Sequence, residues 1–157
     1  MQYTATSTFA TDLKSSQQGE THLANKFEMN GWNVSSTQDK GKFSGYDLEI
    51  ERNGFEFTIE YKQDMMCDAT GNVAVELYKT IKNEVRDSGL SATTADVYVY
   101  KLGASEALHA IKVNSLRYYI NQNRNIRYVT GGDGGRVQLA LIPIADFKSI
   151  TKVLFQS

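Results

Sequence analysis

The sequence predicts a mixed α/β or α+β domain, on three observations. A helix-patterned segment comes first, two alternating runs follow on either side of an Asn-Gly dipeptide, and strand- and helix-patterned segments then succeed one another to the C-terminus. In the first, Leu23, Ala24 and Phe27 fall at helical spacing and Asn30-Gly31 is a stop signal, so a helix is expected over 17–30 with Ser15 or Ser16 as its N-cap. Residues 1–16, rich in Ser and Thr, read as an irregular segment. Trp32–Ser36 alternates as a short strand, and Lys40-Gly41-Lys42 reads as a loop. Tyr46–Arg52 and Phe55–Lys62 alternate around Asn53-Gly54, the strongest short-range hairpin signal. Val73–Tyr78 and Val97–Leu102 read as strands with a helix or long loop between them. After them come a strand over Ala107–Val113, a helix over Asn114–Asn123, a glycine loop at Gly131–Gly135, a strand over Val137–Ile142 and a helical turn over Ala145–Ser149.

The chain has 157 residues, 41% hydrophobic, 22% charged and 11% aromatic, with one proline. That composition suits a single globular domain with a core of its own. Surface scaling gives roughly 7,900 Å² folded against about 25,500 Å² unfolded. A net charge of −1 excludes a polycationic nucleic-acid coat but leaves room for a local basic patch. Cys67 stands alone, which suits a reducing compartment. No apolar run approaches the ~20 residues of a membrane span and no signal-peptide core opens the chain, so a cytoplasmic protein is expected.

The hairpin carries the chemistry. With a two-residue turn at Asn53-Gly54, Leu48 faces Ile59 and Ile50 faces Phe57 on a core side, while Asp47 faces Glu60 on the other. Period-2 alternation then sets Lys62 on the face of Glu60, one pleat on. Directly opposed carboxylates destabilise the pair unless something neutralises them, and a divalent cation with oxygen ligands, of which Mg²⁺ is one, does so. The polar face of a hairpin can equally be merely solvated, as Glu51 opposite Glu56 illustrates near the turn.

Glu20 on the first helix, Asp47 opening the second strand and Glu60-Tyr61-Lys62 on the third resemble the motif of the PD-(D/E)XK nuclease superfamily. Residues 17–102 follow that family's αβββαβ order. Gly19-Glu20 and the helix ending at Gly31 are similar to the opening of archaeal-type Holliday-junction resolvases and related phage nucleases. The segments Thr70–Glu76, Ser88–Asp96 and Gly131–Asp133 resemble small phage-type members. The motif's proline is replaced by Tyr46. The resemblance implies a restriction-endonuclease-like core with a mixed central sheet flanked by helices: a catalytic core at 17–102 and a C-terminal extension at 103–157 within one domain.

It further implies a Mg²⁺-dependent phosphodiesterase, with Mn²⁺ able to substitute, acting as an endonuclease on duplex or branched DNA. Asp47 and Glu60 would be metal ligands, with the backbone carbonyl of Tyr61 as a further one. Lys62 would be the catalytic cation, and Glu20 would bind metal through water or position a second ion. Gln63 is an accessory candidate that is as well explained by an exposed position. Glu76, interrupting an apolar strand, is a second accessory candidate or an ordinary edge glutamate. Thr93, Thr94 and Asp96 suit capping better than phosphate contact. His22 and His109 lack metal-ligand spacing and read as structural.

Arg117, Arg124, Arg127 and Arg136 lie among Tyr118, Tyr119 and Tyr128, a composition that suits phosphate contact and base stacking or a solvated helix face. One site per chain points to a homodimer or larger symmetric assembly for cutting two strands. The setting implied is a phage or mobile element acting in a bacterial cytoplasm. The alternatives are an inactive DNA-binding module of the same fold and an accessory protein that binds a host protein.

Overall fold

The computed structural model describes residues 5–37, 45–132 and 135–156, with side chains from Leu13 onward. Helix α1 (Ala5–Met29) is followed by strands β1 (Asn33–Ser36), β2 (Leu48–Arg52) and β3 (Phe55–Asp64), a short helix α2 (Cys67–Thr70), and strands β4 (Asn72–Ile81) and β5 (Glu84–Asp87). A 3₁₀ turn at Gly89–Ser91 leads into β6 (Val97–Leu102), β7 (Leu108–Lys112), α3 (Val113–Gln122), β8 (Arg127–Gly131), β9 (Val137–Pro143), α4 (Ile144–Ile150) and β10 (Lys152–Val153).

Two sheets result. The first has the order β1-β2-β3-β6-β7-β10 and the second β5-β4-β9-β8. In the first sheet β3 and β6 run parallel while the other neighbours are antiparallel, so the sheet is mixed as expected. Its two faces differ. On one, Leu48, Ile50, Ile59, Tyr61 and Val99 pack beneath α1 through Leu23 and Phe27. On the other, Tyr98, Tyr100 and Leu102 meet the second sheet's Val73, Val75 and Ile142, with Leu116 of α3 and Phe147 of α4. Full burial of a Leu or Phe side chain contributes about 1.5–3 kcal/mol, so Leu23 and Phe27 suffice to clamp α1 onto the sheet.

The hairpin forms in the expected register. Arg52 faces Phe55, Ile50 faces Phe57 and Leu48 faces Ile59, and Asn53 and Gly54 both have positive φ (54° and 83°), as a type I′ turn requires. Helix α1 ends as predicted. Asn30 and Gly31 close its last turn by donating to the carbonyls of Phe27 and Glu28, and Gly31 has φ 88°.

Three expectations are corrected. Within 1–16, the chain is helical from Ala5, so Ser15 and Ser16 lie inside α1 rather than capping it. No Gly or Pro interrupts 5–18, and Ser and Thr weaken a helix by only about half a kcal/mol each. The stretch between Tyr78 and Val97 holds no α-helix. Strand β4 turns at Lys82 and Asn83, both with positive φ, into β5, and the 3₁₀ turn follows. Strand β8 was hidden because Tyr128, Val129 and Thr130 sit between arginines and the glycine cluster. The Lys40-Gly41-Lys42 loop and Asp133-Gly134 lie outside the described residues.

Helix α1 lies so close to β3 that Gly19 is required between them, since a Cβ there would collide with the Tyr61 ring and hydroxyl. Gly19→Ala should therefore lower stability by about 1–2 kcal/mol in urea denaturation, overriding the ~1 kcal/mol gain of Ala in a helix. A stabilised variant would contradict this close approach.

Candidate active site

Asp47 stands one residue before β2, and its backbone is held from three directions. Its N–H donates to the Ile59 carbonyl (2.8 Å), and its own carbonyl accepts from the Thr37 N–H (2.9 Å) and the Thr37 hydroxyl (3.0 Å). Two residues earlier, the Gly45 carbonyl accepts from the Thr93 hydroxyl and the Thr94 N–H, both at 3.1 Å. The side chain is fixed as well, because the Tyr61 N–H donates to Asp47 Oδ2 at 2.7 Å. One carboxylate oxygen thus replaces the ladder partner that β2 has stopped supplying. In an extended strand the N–H and C=O of one residue point to the same edge, so the Tyr61 carbonyl also lies on the Asp47 side.

Glu60 and Lys62 project from the face of β3 opposite α1. Lys62 Nζ is 3.9 Å from Glu60 Oε2, with the two side chains 37% and 14% exposed. Glu60 Oε2 is buried and makes no hydrogen bond. Burial pushes the Asp47 carboxyl above its usual range against the pull of the Tyr61 N–H and Lys62. Burial also raises Glu60; Lys62 opposes this, Asp47 adds to it, and Tyr98 and Thr93 pull it back. Two half-buried carboxylates, with the Asp47 charge adding to the cost of ionising Glu60, form an oxygen-rich site whose charge a divalent cation would offset. The buried Glu60 oxygen without a hydrogen-bond partner fits that group.

Glu20 is placed differently. It is 9% exposed on α1, and its charge acts on Tyr61, whose phenol is pushed up to about 12 chiefly by burial and then by Glu20. Tyr61 packs on the α1 side of the sheet, whereas Glu60 and Lys62 face away from it. Among the described residues no three of His, Cys, Asp and Glu come together as a metal-holding group, so Glu20 does not join Asp47 and Glu60 in a three-acid cluster.

Gln63 also points to the helix side. It accepts from the Tyr61 hydroxyl at 2.7 Å and donates to Ser15 Oγ at 2.8 Å, so it joins α1 to β3 rather than facing the carboxylates. Alternation alone explains this, since Gln63 follows Lys62 by one residue. Glu76 lies on β4 of the second sheet, where its charge is one of three that raise Tyr100 after burial, and it forms no part of a three-acid group. Asp64 shares the Lys62 face but accepts from the Met66 and Ala74 N–H groups at 3.0 and 2.9 Å, which makes it a turn-former.

The arginines separate into two kinds. Arg117 is committed to the protein, donating to the Leu90 carbonyl (3.0 and 2.8 Å) and the Thr93 carbonyl (3.0 Å). That corrects its expected place in a DNA surface: it ties α3 to the loop that grips Gly45. Arg124, Arg127 and Arg136 are exposed, as is Tyr118 at 68%. Thr93 caps the Ala95 N–H, and Asp96 accepts from the N–H and hydroxyl of Thr58, so both serve the loop. His109 is buried with Nδ1 against the Thr151 hydroxyl, and burial lowers its pKa. The sequence reading missed Thr37, which no motif marks; only its pairing with the residue before β2 makes it important.

No protein-family model matches the chain, and no curated protein matches its sequence. Among solved structures, the bacterial homing endonuclease I-Ssp6803I superposes with a TM-score of 0.51 at 18% identity, covering 82% of this chain and 74% of that one. Hjc, a Holliday junction resolvase of Archaeoglobus fulgidus, gives 0.49 at 10% identity over 89% of this chain and 92% of that one. A nuclease from a fusselovirus gives 0.40 at 13% identity over 98% and 90%. The first superposition, with the mixed six-stranded sheet flanked by helices, shows a restriction-endonuclease-like fold.

The raised carboxyls set a sign for stability. Acids whose folded pKa lies above the unfolded value favour the fold below pH ~4 and lose that contribution as pH rises through the folded values. In EDTA, the contribution of Asp47 and Glu60 should therefore fall as pH rises above about 4, and the double variant Asp47→Asn/Glu60→Gln should flatten that part of the thermal-melt profile. Asp47→Asn alone should melt no lower than wild type in EDTA near pH 7, since its amide oxygen still accepts from Tyr61. Asp47→Ala should melt lower, because it strands that N–H. A clear loss of stability in Asp47→Asn would contradict the repulsion.

Proposed function

We propose that this chain is a metal-dependent endonuclease that hydrolyses phosphodiester bonds in DNA. The observation that carries the reading is the pair of half-buried carboxylates Asp47, just before β2, and Glu60 on β3, near enough that the Asp47 charge acts on Glu60, with the Lys62 ammonium 3.9 Å from Glu60. The fold supports it, because in a PD-(D/E)XK-type sheet these three positions are where the family motif falls.

Asp47 and Glu60 would hold Mg²⁺, or Mn²⁺ in its place, with the Tyr61 carbonyl on the same strand edge; Glu20, on the α1 side beside Tyr61, stands outside this set. When bound, the ion lowers the pKa of water and offsets phosphate charge. Lys62, partly exposed, can donate to a phosphate oxygen as negative charge gathers there in the transition state. Tyr61 keeps Asp47 from rotating, so the carboxylate is oriented before substrate arrives.

Charge also limits the substrate's approach. The hairpin's polar face continues from the site into a groove containing Glu49, Glu51, Glu56 and Asp96. A phosphate backbone is repelled there, so DNA would approach from the Lys62 end. With one site per chain, cutting both strands of a duplex calls for two copies, and a homodimer is the simplest assembly. Both a four-way junction and a linear duplex suit such an arrangement.

Incubation with supercoiled, linear, single-stranded and four-way-junction DNA tests the reading, with Mg²⁺ in one arm and EDTA in the other. Cleavage is expected only with the metal. Lys62→Ala should lose at least about a hundredfold in rate while retaining its thermal melt and DNA affinity. A Lys62→Ala protein that cuts as wild type does, or DNA affinity that is negligible even at low salt, would overturn the proposal.

A further inference from the structure

Tyr98 lies behind the candidate site and belongs to none of the roles above. It is 1% exposed on β6 and directly opposite Glu60 in the parallel β3–β6 register. Three buried side-chain polar atoms among the described residues make no hydrogen bond: Glu60 Oε2, the Tyr98 hydroxyl and Ser88 Oγ. Two of the three therefore belong to one cross-strand pair. A buried hydroxyl or carboxylate oxygen without a partner gives up its hydration for nothing, so neither is kept without compensation. The ring does a second thing: Lys62 Nζ sits 5.9 Å from its centroid, within the range of a cation–π contact. The other side of the ring is fixed by Tyr100, 5.9 Å away between centroids, which packs in turn on Phe147 at 5.0 Å.

From this arrangement we propose that Tyr98 is a positioning residue for the site, orienting Glu60 through its hydroxyl and Lys62 through its ring. With a cation on Glu60, the unpartnered hydroxyl turns to donate to the carboxylate oxygen that the cation leaves free, and holds the carboxylate in one rotamer. The ring gives the Lys62 ammonium a resting place beside Glu60 that does not neutralise it by a full hydrogen bond. An aliphatic residue at position 98 would fill the core equally well and do neither. The inference rests on the metal-binding reading of Asp47 and Glu60, and it concerns how that site is built rather than whether it exists.

Mn²⁺ binding in the absence of DNA tests it, read by calorimetry or by the loss of free Mn²⁺ signal in electron paramagnetic resonance. Tyr98→Phe keeps the ring, its stacking on Tyr100 and the core volume, and its melting temperature in EDTA should match or exceed wild type because it deletes an unpartnered buried hydroxyl. Its Mn²⁺ affinity should nonetheless fall about tenfold or more, the usual effect of removing a group that orients a ligand. In a Glu60→Gln background the same substitution should change Mn²⁺ binding little, because the carboxylate it orients is gone. In single-turnover cleavage the loss should appear in the rate at saturating DNA and be recovered in part by raising Mn²⁺, with DNA affinity unchanged. Equal Mn²⁺ affinity in wild type and Tyr98→Phe would overturn the role of Tyr98 while leaving the metal site standing. Failure of the wild-type protein itself to bind Mn²⁺ would overturn the metal-binding reading and this inference with it.

Discussion

Two carboxylates meet across β2 and β3 because a two-residue turn at Asn53-Gly54 leaves no freedom of register. Leu48 and Ile50 must face Ile59 and Phe57 beneath α1, so Glu60, and Asp47 just before β2, are left to the reverse side. A one-residue slip would bring the acids into the apolar layer and the aliphatic residues out of it, which the burial of Leu23 and Phe27 against that layer forbids. Repulsion between the acids is thus imposed by the same packing that stabilises the sheet. The hydrophobic side of the hairpin sets the chemistry of its polar side.

Much of the remaining structure serves to keep that pair in place. Thr37, just after β1, grips the Asp47 carbonyl, and Thr93 and Thr94 hold Gly45. Arg117 reaches from α3 to the carbonyls on which the 90–93 loop depends. On the far side, Gly19 lets α1 approach closely enough for Gln63 to bridge Tyr61 and Ser15. Asp47 is consequently supported by chain segments from both halves of the protein. The C-terminal third, read from sequence as an extension, contributes α3 and α4 to the core behind the sheet.

The polar surface is equally divided. Glu49, Glu51, Glu56 and Asp96 make the hairpin end of the face acidic, while Lys62 marks the opposite end. A chain with a net charge of only −1 can therefore present an unfavourable and a favourable direction to a polyanion within one face.

The sequence by itself determined the hairpin, its turn type, its register and the company of Asp47, Glu60 and Lys62, because all four follow from period-2 alternation around Asn-Gly, a strictly local rule. It likewise marked the end of α1 at Asn30-Gly31. Tertiary structure decided the rest. Whether Arg117 meets solvent or protein, whether Glu20 stands beside the acids or beside Tyr61, and which hydroxyl lies behind Glu60 depend on which elements pack together across tens of residues. Strands β5 and β8 were invisible for the same reason: their short β-forming runs acquire meaning only from partners in β4 and β9, and pairing energy of that kind is carried by contacts between segments rather than by the residues of either one.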